Sequence, residues 1–278
     1  GMVGALVLIW VGFQIFGQIL TGEGVFLSPR NLWNLLVQTS AIAIMSTGMV
    51  LIIVMRHIDL SVGSMLSFIG VVTGVAQVYW LSPWLGSDNP FIWIVGVIVA
   101  LVAGAALGAF NGFLVAYAGI PSFIVTLGGL IVYSGAAWWV IRGETVAPMD
   151  ANFELIGGTP PGSWIGGTGS WILGAVICAA IVVGVAMNRS ARAKFKFPQR
   201  PLWAEAFLIV VGCAVTLGTV AVVNAYPWPA RVAEAYATEH NIPIPADGPE
   251  ALNFPHGFAI PMLIALAVGL PFLVDSRY

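Results

Sequence analysis

Charge is what this sequence has least of. Of 278 residues, ten are Lys or Arg and twelve are Asp or Glu, 8% together, against roughly 25% in an ordinary soluble domain. So thin a supply cannot cover a globular surface, and it offers no basic face to nucleic acid. With 59% hydrophobic residues, the chain belongs in a membrane. Cysteine is nearly missing too: Cys178 and Cys213 each fall within an apolar run, where they read as small buried hydrophobes rather than a disulfide or a metal pair. The three histidines are scattered, His57 beside two other charged residues and His240 and His256 in one polar stretch, where the last two are expected to be solvated. There is no glycine-rich loop ending in Gly-Lys-Ser/Thr, no His/Cys cluster at metal spacing and no acid pair set in a soluble pocket. The residues point away from an enzyme and hold no cofactor or metal site of their own.

What the sequence does have is long apolar runs. A helix needs about 20 such residues to cross a ~30 Å hydrocarbon layer. Eight stretches approach or exceed that length: Met2–Leu20, Leu35–Met55, Met65–Leu81, Phe91–Tyr117, Phe123–Val140, Trp171–Met187, Trp203–Ala225 and Phe258–Val274. The fold expected is all-α, a polytopic transmembrane helical bundle of about eight spans. The first run lacks a basic leader and a small-residue cleavage site, so it reads as a retained helix rather than a signal peptide. Tyr79, Trp80 and Trp84 mark one membrane interface. Half of the cations lie between Asn188 and Arg200, which puts that short loop in the cytoplasm and, by alternation, loops 21–34, 82–90, 142–170 and 226–257 outside. Residues 142–170, rich in Gly, Pro, Ser and Thr, are expected to be irregular.

Two interruptions stand out between the runs. The first, Arg56-His57-Ile58-Asp59-Leu60-Ser61-Val62-Gly63-Ser64, puts three ionisable groups next to spanning helices. An isolated charge at mid-bilayer costs roughly 2.5–3.5 kcal/mol or more, so the stretch must meet water or a protein-lined cavity. Asp59 has two readings: a carboxylate capping the third span by accepting backbone N–H groups near Ser61 and Val62, or a polar contact or gating ion pair on a solute path. The second interruption is Gly119-Ile120-Pro121-Ser122, where proline removes a backbone donor and turns the preceding residue away from helix. Breaks and polar groups within membrane helices are the parts a substrate pathway needs. The candidate pathway residues are Gln38, Thr39, Asp59, Ser61, Ser64, Asn111, Ser122 and Thr126, with Gly63, Gly119 and Pro121 as helix breaks.

These residues carry a resemblance. Thr47-Gly48-Met49-Val50, Ile58 to Ser64, Asn111-Gly112 and Ile120-Pro121-Ser122-Phe123-Ile124-Val125-Thr126-Leu127-Gly128 look, in this order, like the signature blocks of the membrane subunits of bacterial sugar ABC importers, the ribose/xylose/galactose permease family. Arg200-Pro201-Leu202-Trp203-Ala204-Glu205 resembles the xylose-type branch. The resemblance implies a permease of the bacterial inner membrane that moves a monosaccharide, such as the pentose xylose, into the cytoplasm. It also implies a second permease subunit, a periplasmic sugar-binding protein, and a cytoplasmic ATP-binding-cassette ATPase on which ATP and Mg would reside. Many members have Gly-Gly where this chain has Arg56-His57, and a second proline where it has Ser122. The chain begins inside one span and stops shortly after another, with Asp275-Ser276-Arg277-Tyr278, so residues 1–278 are expected to be one permease domain incomplete at both ends. Two other readings stay open: an ion-coupled secondary transporter with Asp59 as the coupling carboxylate, and a membrane fragment that transports nothing.

Overall fold

The computed structural model describes residues 1–22, 24–86, 89–158, 165–195, 197–245 and 248–275. Among them, regular structure is helical throughout, apart from one isolated bridge between Pro227 and Pro255. Six helices are long and apolar enough to cross a membrane, and two shorter apolar stretches, Gly4–Leu20 and Ile260–Gly269, complete the eight expected. The chain divides into two compact units, one of residues 1–39 and 160–263, the other of residues 40–159 and 264–278.

In the first unit, α1 (Met2–Thr21) ends at Gly22, whose φ of 76° is the left-handed conformation glycine adopts without penalty. The first turns of α2 (Pro29–Val54) follow, six residues earlier than the apolar run suggested, because Pro29 suits the first helical position. The pair α8 (Gly166–Lys194) and α9 (Leu202–Ala225) packs tightly. The basic stretch expected as a loop from Asn188 is instead helical to Lys194, since Arg and Lys favour a helix C-terminus; Lys196 lies outside the described residues. At this end of the pair Arg189 donates to Glu205 at 2.7 Å. Toward the other end Val220 fills the notch at Gly174, and Asn224 Nδ2 donates to the Gly167 carbonyl at 3.4 Å.

Residues 226–257, expected to be an external loop, hold helical structure among the described residues. They fold into α10 (Ala230–Glu239) and a short 3-10 turn (Pro249–Ala251), packed around Ala233, Ala237 and Leu252. They are tied down by Trp228 N–H to the Phe254 carbonyl (2.8 Å) and Phe258 N–H to Ser170 Oγ (3.0 Å). His256, expected to be solvated, is 1% exposed. Its ring stacks on Tyr226 (4.2 Å between centroids, 5° between planes), lies 4.7 Å from Trp33, and its Nδ1 is 3.0 Å from the Tyr226 carbonyl. His240 stays exposed, stacked on Tyr236. Burial pushes the His256 pKa below its usual 6.5, only partly offset by the Tyr226 carbonyl. The unfolded chain therefore binds this proton at a higher pH than the folded one, and stability rises with pH through the window just below 6.5. The thermal midpoint should fall when the pH is lowered from about 7.5 to about 5.5, and His256→Gln should flatten that dependence.

In the second unit, α2 closes with a left-handed cap. Arg56 has φ 62°, its N–H bonds the Ile53 carbonyl and the His57 N–H bonds the Ile52 carbonyl. That pattern ends helices at glycine, and Arg adopts it at roughly 1–2 kcal/mol. Next come α3 (Val62–Val75), a π-helical turn (Ala76–Leu81) and α4 (Ser82–Leu85), so the third span starts earlier and ends later than its apolar run. The widened turn precedes Pro83, which cannot donate to the carbonyl a turn back. Then come α5 (Ile92–Ala116), α6 (Ser122–Ile141), and α7 (Ala151–Ile156), a helix within the stretch expected to be irregular. Asp150 makes α7 possible by accepting the Phe153 N–H at 3.1 Å. The last helix, α11 (Ile260–Asp275), runs from the first unit's residues into the second's; Ser276 to Tyr278 lie outside the described residues. Cys178 and Cys213 are both free.

Candidate functional site

The two interruptions meet within the second unit. Ile58 N–H donates to Ser122 Oγ at 3.4 Å, and Thr126 Oγ1, which bonds the Ser122 carbonyl at 2.8 Å, also reaches the Ile58 carbonyl at 3.3 Å. The first break is stitched to the start of α6 by its own backbone. Gly119 (φ 69°) reverses the chain after α5, and Pro121, with φ −53° and ψ 132°, is the N-cap from which α6 departs. Gly63 is not a break. It sits inside the first turn of α3, and the interruption falls before it, because Arg56 rather than a glycine supplies the left-handed residue.

A cavity of about 410 Å³ opens where the breaks meet, within the usual range of small-molecule sites, roughly 300–1,000 Å³. Its polar lining residues are His57, Asp59, Asn111, Ser122 and Thr126. The rest of the lining is apolar and rich in thioethers, with Met45, Met49, Met55 and Met65 as well as Ile52. Ser61 lies behind the polar lining, fully buried. Asp59 Oδ1 accepts both the Ser61 N–H and the Ser61 hydroxyl, each at 2.7 Å. The carboxylate thus holds Ser61, the N-cap residue of α3, from two residues back; it does not cap the helix as expected, since it takes the Ser61 amide and no amide of α3 itself. Ser64 turns its hydroxyl onto the Ser61 carbonyl at 2.8 Å and does not line the cavity; nor do Gln38 and Thr39, which are exposed on α2.

Two parts of this site carried no signal by residue type alone. Tyr133, 6% exposed, donates its hydroxyl to Asn111 Oδ1 at 2.7 Å. It sits in what reads as a plain apolar run, yet Thr126, Gly129 and Tyr133 are spaced three and four apart, one face of a helix, and all are buried. The methionine lining is the other part, since thioethers in a spanning helix look like ordinary core.

The family described as branched-chain amino acid transport system / permease component matches residues 31–195, more than half of the chain and all of this site. The chain belongs to that family. Among curated proteins, it is 39% identical to the xylose transport system permease protein XylH of Escherichia coli over 65% of this chain and 42% of that one. The corresponding protein of Haemophilus influenzae is 31% identical over 76% and 53%. The ribose import permease protein RbsC of Escherichia coli is 36% identical over 56% and 46%. This permease component spans about half the length of the curated relatives it matches. No solved structure matches it. With six helices among the described residues long and apolar enough to span, it is a multi-pass protein of the bacterial inner membrane.

Proposed function

We propose that this permease component forms part of the membrane subunit of an ATP-binding-cassette importer that carries a monosaccharide, a pentose such as xylose, into the cytoplasm. A cytoplasmic ATPase supplies the energy, a periplasmic sugar-binding protein delivers the solute, and a second permease subunit completes the path. The observation that carries this reading is the cavity of mixed polar and apolar lining at the meeting of the breaks. Its polar lining offers a carboxylate at Asp59, hydroxyls at Ser122 and Thr126, and donors at His57 and Asn111. A sugar brings several hydroxyl donors and no charge, so it can be held there without a counter-ion. The C–H face of its ring suits the thioether lining, which adapts its shape easily.

The test is uptake of labelled pentose by cells carrying the full-length gene product, with and without its ATPase, and with leucine as competitor. Uptake that needs the ATPase and ignores leucine is expected. The ion-coupled alternative keeps one observation in its favour, the carboxylate on the cavity wall, and predicts uptake that survives loss of the ATPase and stops when the proton gradient is collapsed.

A further inference from the structure

The hydrogen bonds behind the polar lining can run in only one direction. Asp59 as a carboxylate accepts and cannot donate, so the Ser61 hydroxyl gives its single proton to Oδ1 (2.7 Å). Ser61 Oγ is then an acceptor toward Asn111 at 3.3 Å, and the atom that meets it must be Nδ2. That turns Asn111 Oδ1 the other way, onto Tyr133, whose hydroxyl donates to it at 2.7 Å. Tyr133, Asn111 and Ser61 are each at least nine-tenths buried, so water does not compete for these bonds. Gly129 makes the approach possible: a methyl group there would stand 3.2 Å from Ser61 Cβ and 3.0 Å from the Tyr133 ring. Phe68, 6.3 Å away and stacked at 13°, supports the other side of that ring.

We infer that Tyr133 is a positioning residue for the solute path, fixing through Asn111 and Ser61 which oxygen of Asp59 faces the cavity. The inference rests on the proposed sugar transport and names a residue outside the cavity wall as a determinant of its selectivity. Without the tyrosine hydroxyl the Asn111 amide is free to turn, the Ser61 hydroxyl loses the donor that fixes it, and of the two bonds on Asp59 Oδ1 only the one from the Ser61 amide stays fixed. The oxygen that reads one particular sugar hydroxyl then loses its fixed aim.

The readout is selectivity rather than rate. Uptake of xylose is compared with uptake of each of its mono-deoxy analogues by the full-length permease with its ATPase and binding protein. The unmutated protein is expected to favour xylose over one of these analogues by roughly tenfold, the size of a single hydrogen bond. Tyr133→Phe should bring that ratio close to one while leaving the other analogues unaffected. Ser61→Ala, which removes the relay with a smaller side chain and no new contact, should do the same at the same hydroxyl. Tyr133→Phe combined with Asp59→Asn should discriminate no worse than Asp59→Asn alone, because both act on one chain of bonds. If Tyr133→Phe slows every sugar by the same factor and keeps the ratios, the residue is merely structural and the inference is overturned while sugar transport stands. If the unmutated protein takes up no sugar, both readings fail together.

Discussion

Gly257→Ala should prevent the permease component from folding stably, with a loss of folded protein far larger than one added methyl group suggests. Gly257 has φ 69°, and a Cβ built on it would stand 2.7 Å from the Gly166 carbonyl oxygen and 2.7 Å from Ser170 Oγ. Neither neighbour can withdraw. Ser170 Oγ is held between the Gly166 carbonyl (2.8 Å) and the Phe258 N–H (3.0 Å), and Gly257 itself donates to the Val223 carbonyl (3.2 Å) while accepting from Trp33 Nε1 (3.2 Å). The left-handed backbone costs an alanine roughly 1–2 kcal/mol, and forcing extra volume into a packed site typically adds 1–3 kcal/mol. Against a typical stability of about 5–15 kcal/mol, that is a large fraction. Gly22→Ala is the control, since Gly22 shares the left-handed φ, 76°, but has nothing within 4 Å of the added methyl. Thermal unfolding followed by tryptophan fluorescence should show a far lower midpoint for Gly257→Ala than for Gly22→Ala; equal midpoints would mean that the contact with Gly166 is of no consequence.

Uptake should separate Asp59→Ala from Asp59→Asn. The asparagine keeps an acceptor where Oδ1 now receives the Ser61 amide and hydroxyl, so the start of α3 stays in place and transport continues at a reduced rate. The alanine leaves a fully buried amide and hydroxyl of Ser61 without that acceptor, a penalty of about 1–3 kcal/mol at the point where the two breaks meet. Transport should fall to background in Asp59→Ala, with the protein still inserted in the membrane. An ion-coupling carboxylate gives another pattern: neither replacement can bind and release a proton, and both abolish uptake equally. Equal loss in the two variants, together with sensitivity of the unmutated protein to the proton gradient, would replace the ATP-driven reading with the secondary transporter.

The spanning helices were legible because lipid leaves a backbone few choices. Leu202–Ala225 differs from its apolar run by a single residue, since Pro201 before it and the polar stretch after Tyr226 bound it sharply. The ends were less legible wherever a helix continues past the apolar stretch, as α8 does through Arg189 and Arg192, because hydropathy records the membrane and not the helix. Residues 226–258 hid a small core of alanines and aromatic rings behind an acidic composition. In the site, the two breaks and the polar residues Asp59, Asn111, Ser122 and Thr126 could be named from the sequence, and the structure brings these four to the lining of one cavity. What could not be read is which of them touch. The pairing of Ile58 with Ser122, 64 positions apart, and of Asn111 with Ser61, 50 apart, follows from helix packing that no local pattern encodes.

The α8–α9 pair carries a consequence for motion. Its two ends are pinned by unlike means, Val220 seated at Gly174 at one and the Arg189–Glu205 contact at the other. Sliding one helix past its partner by a single turn, about 5.4 Å, would unseat the valine and pull the charges apart in the same stroke. Axial sliding is therefore opposed at both ends of the pair, by packing at one and by charge at the other.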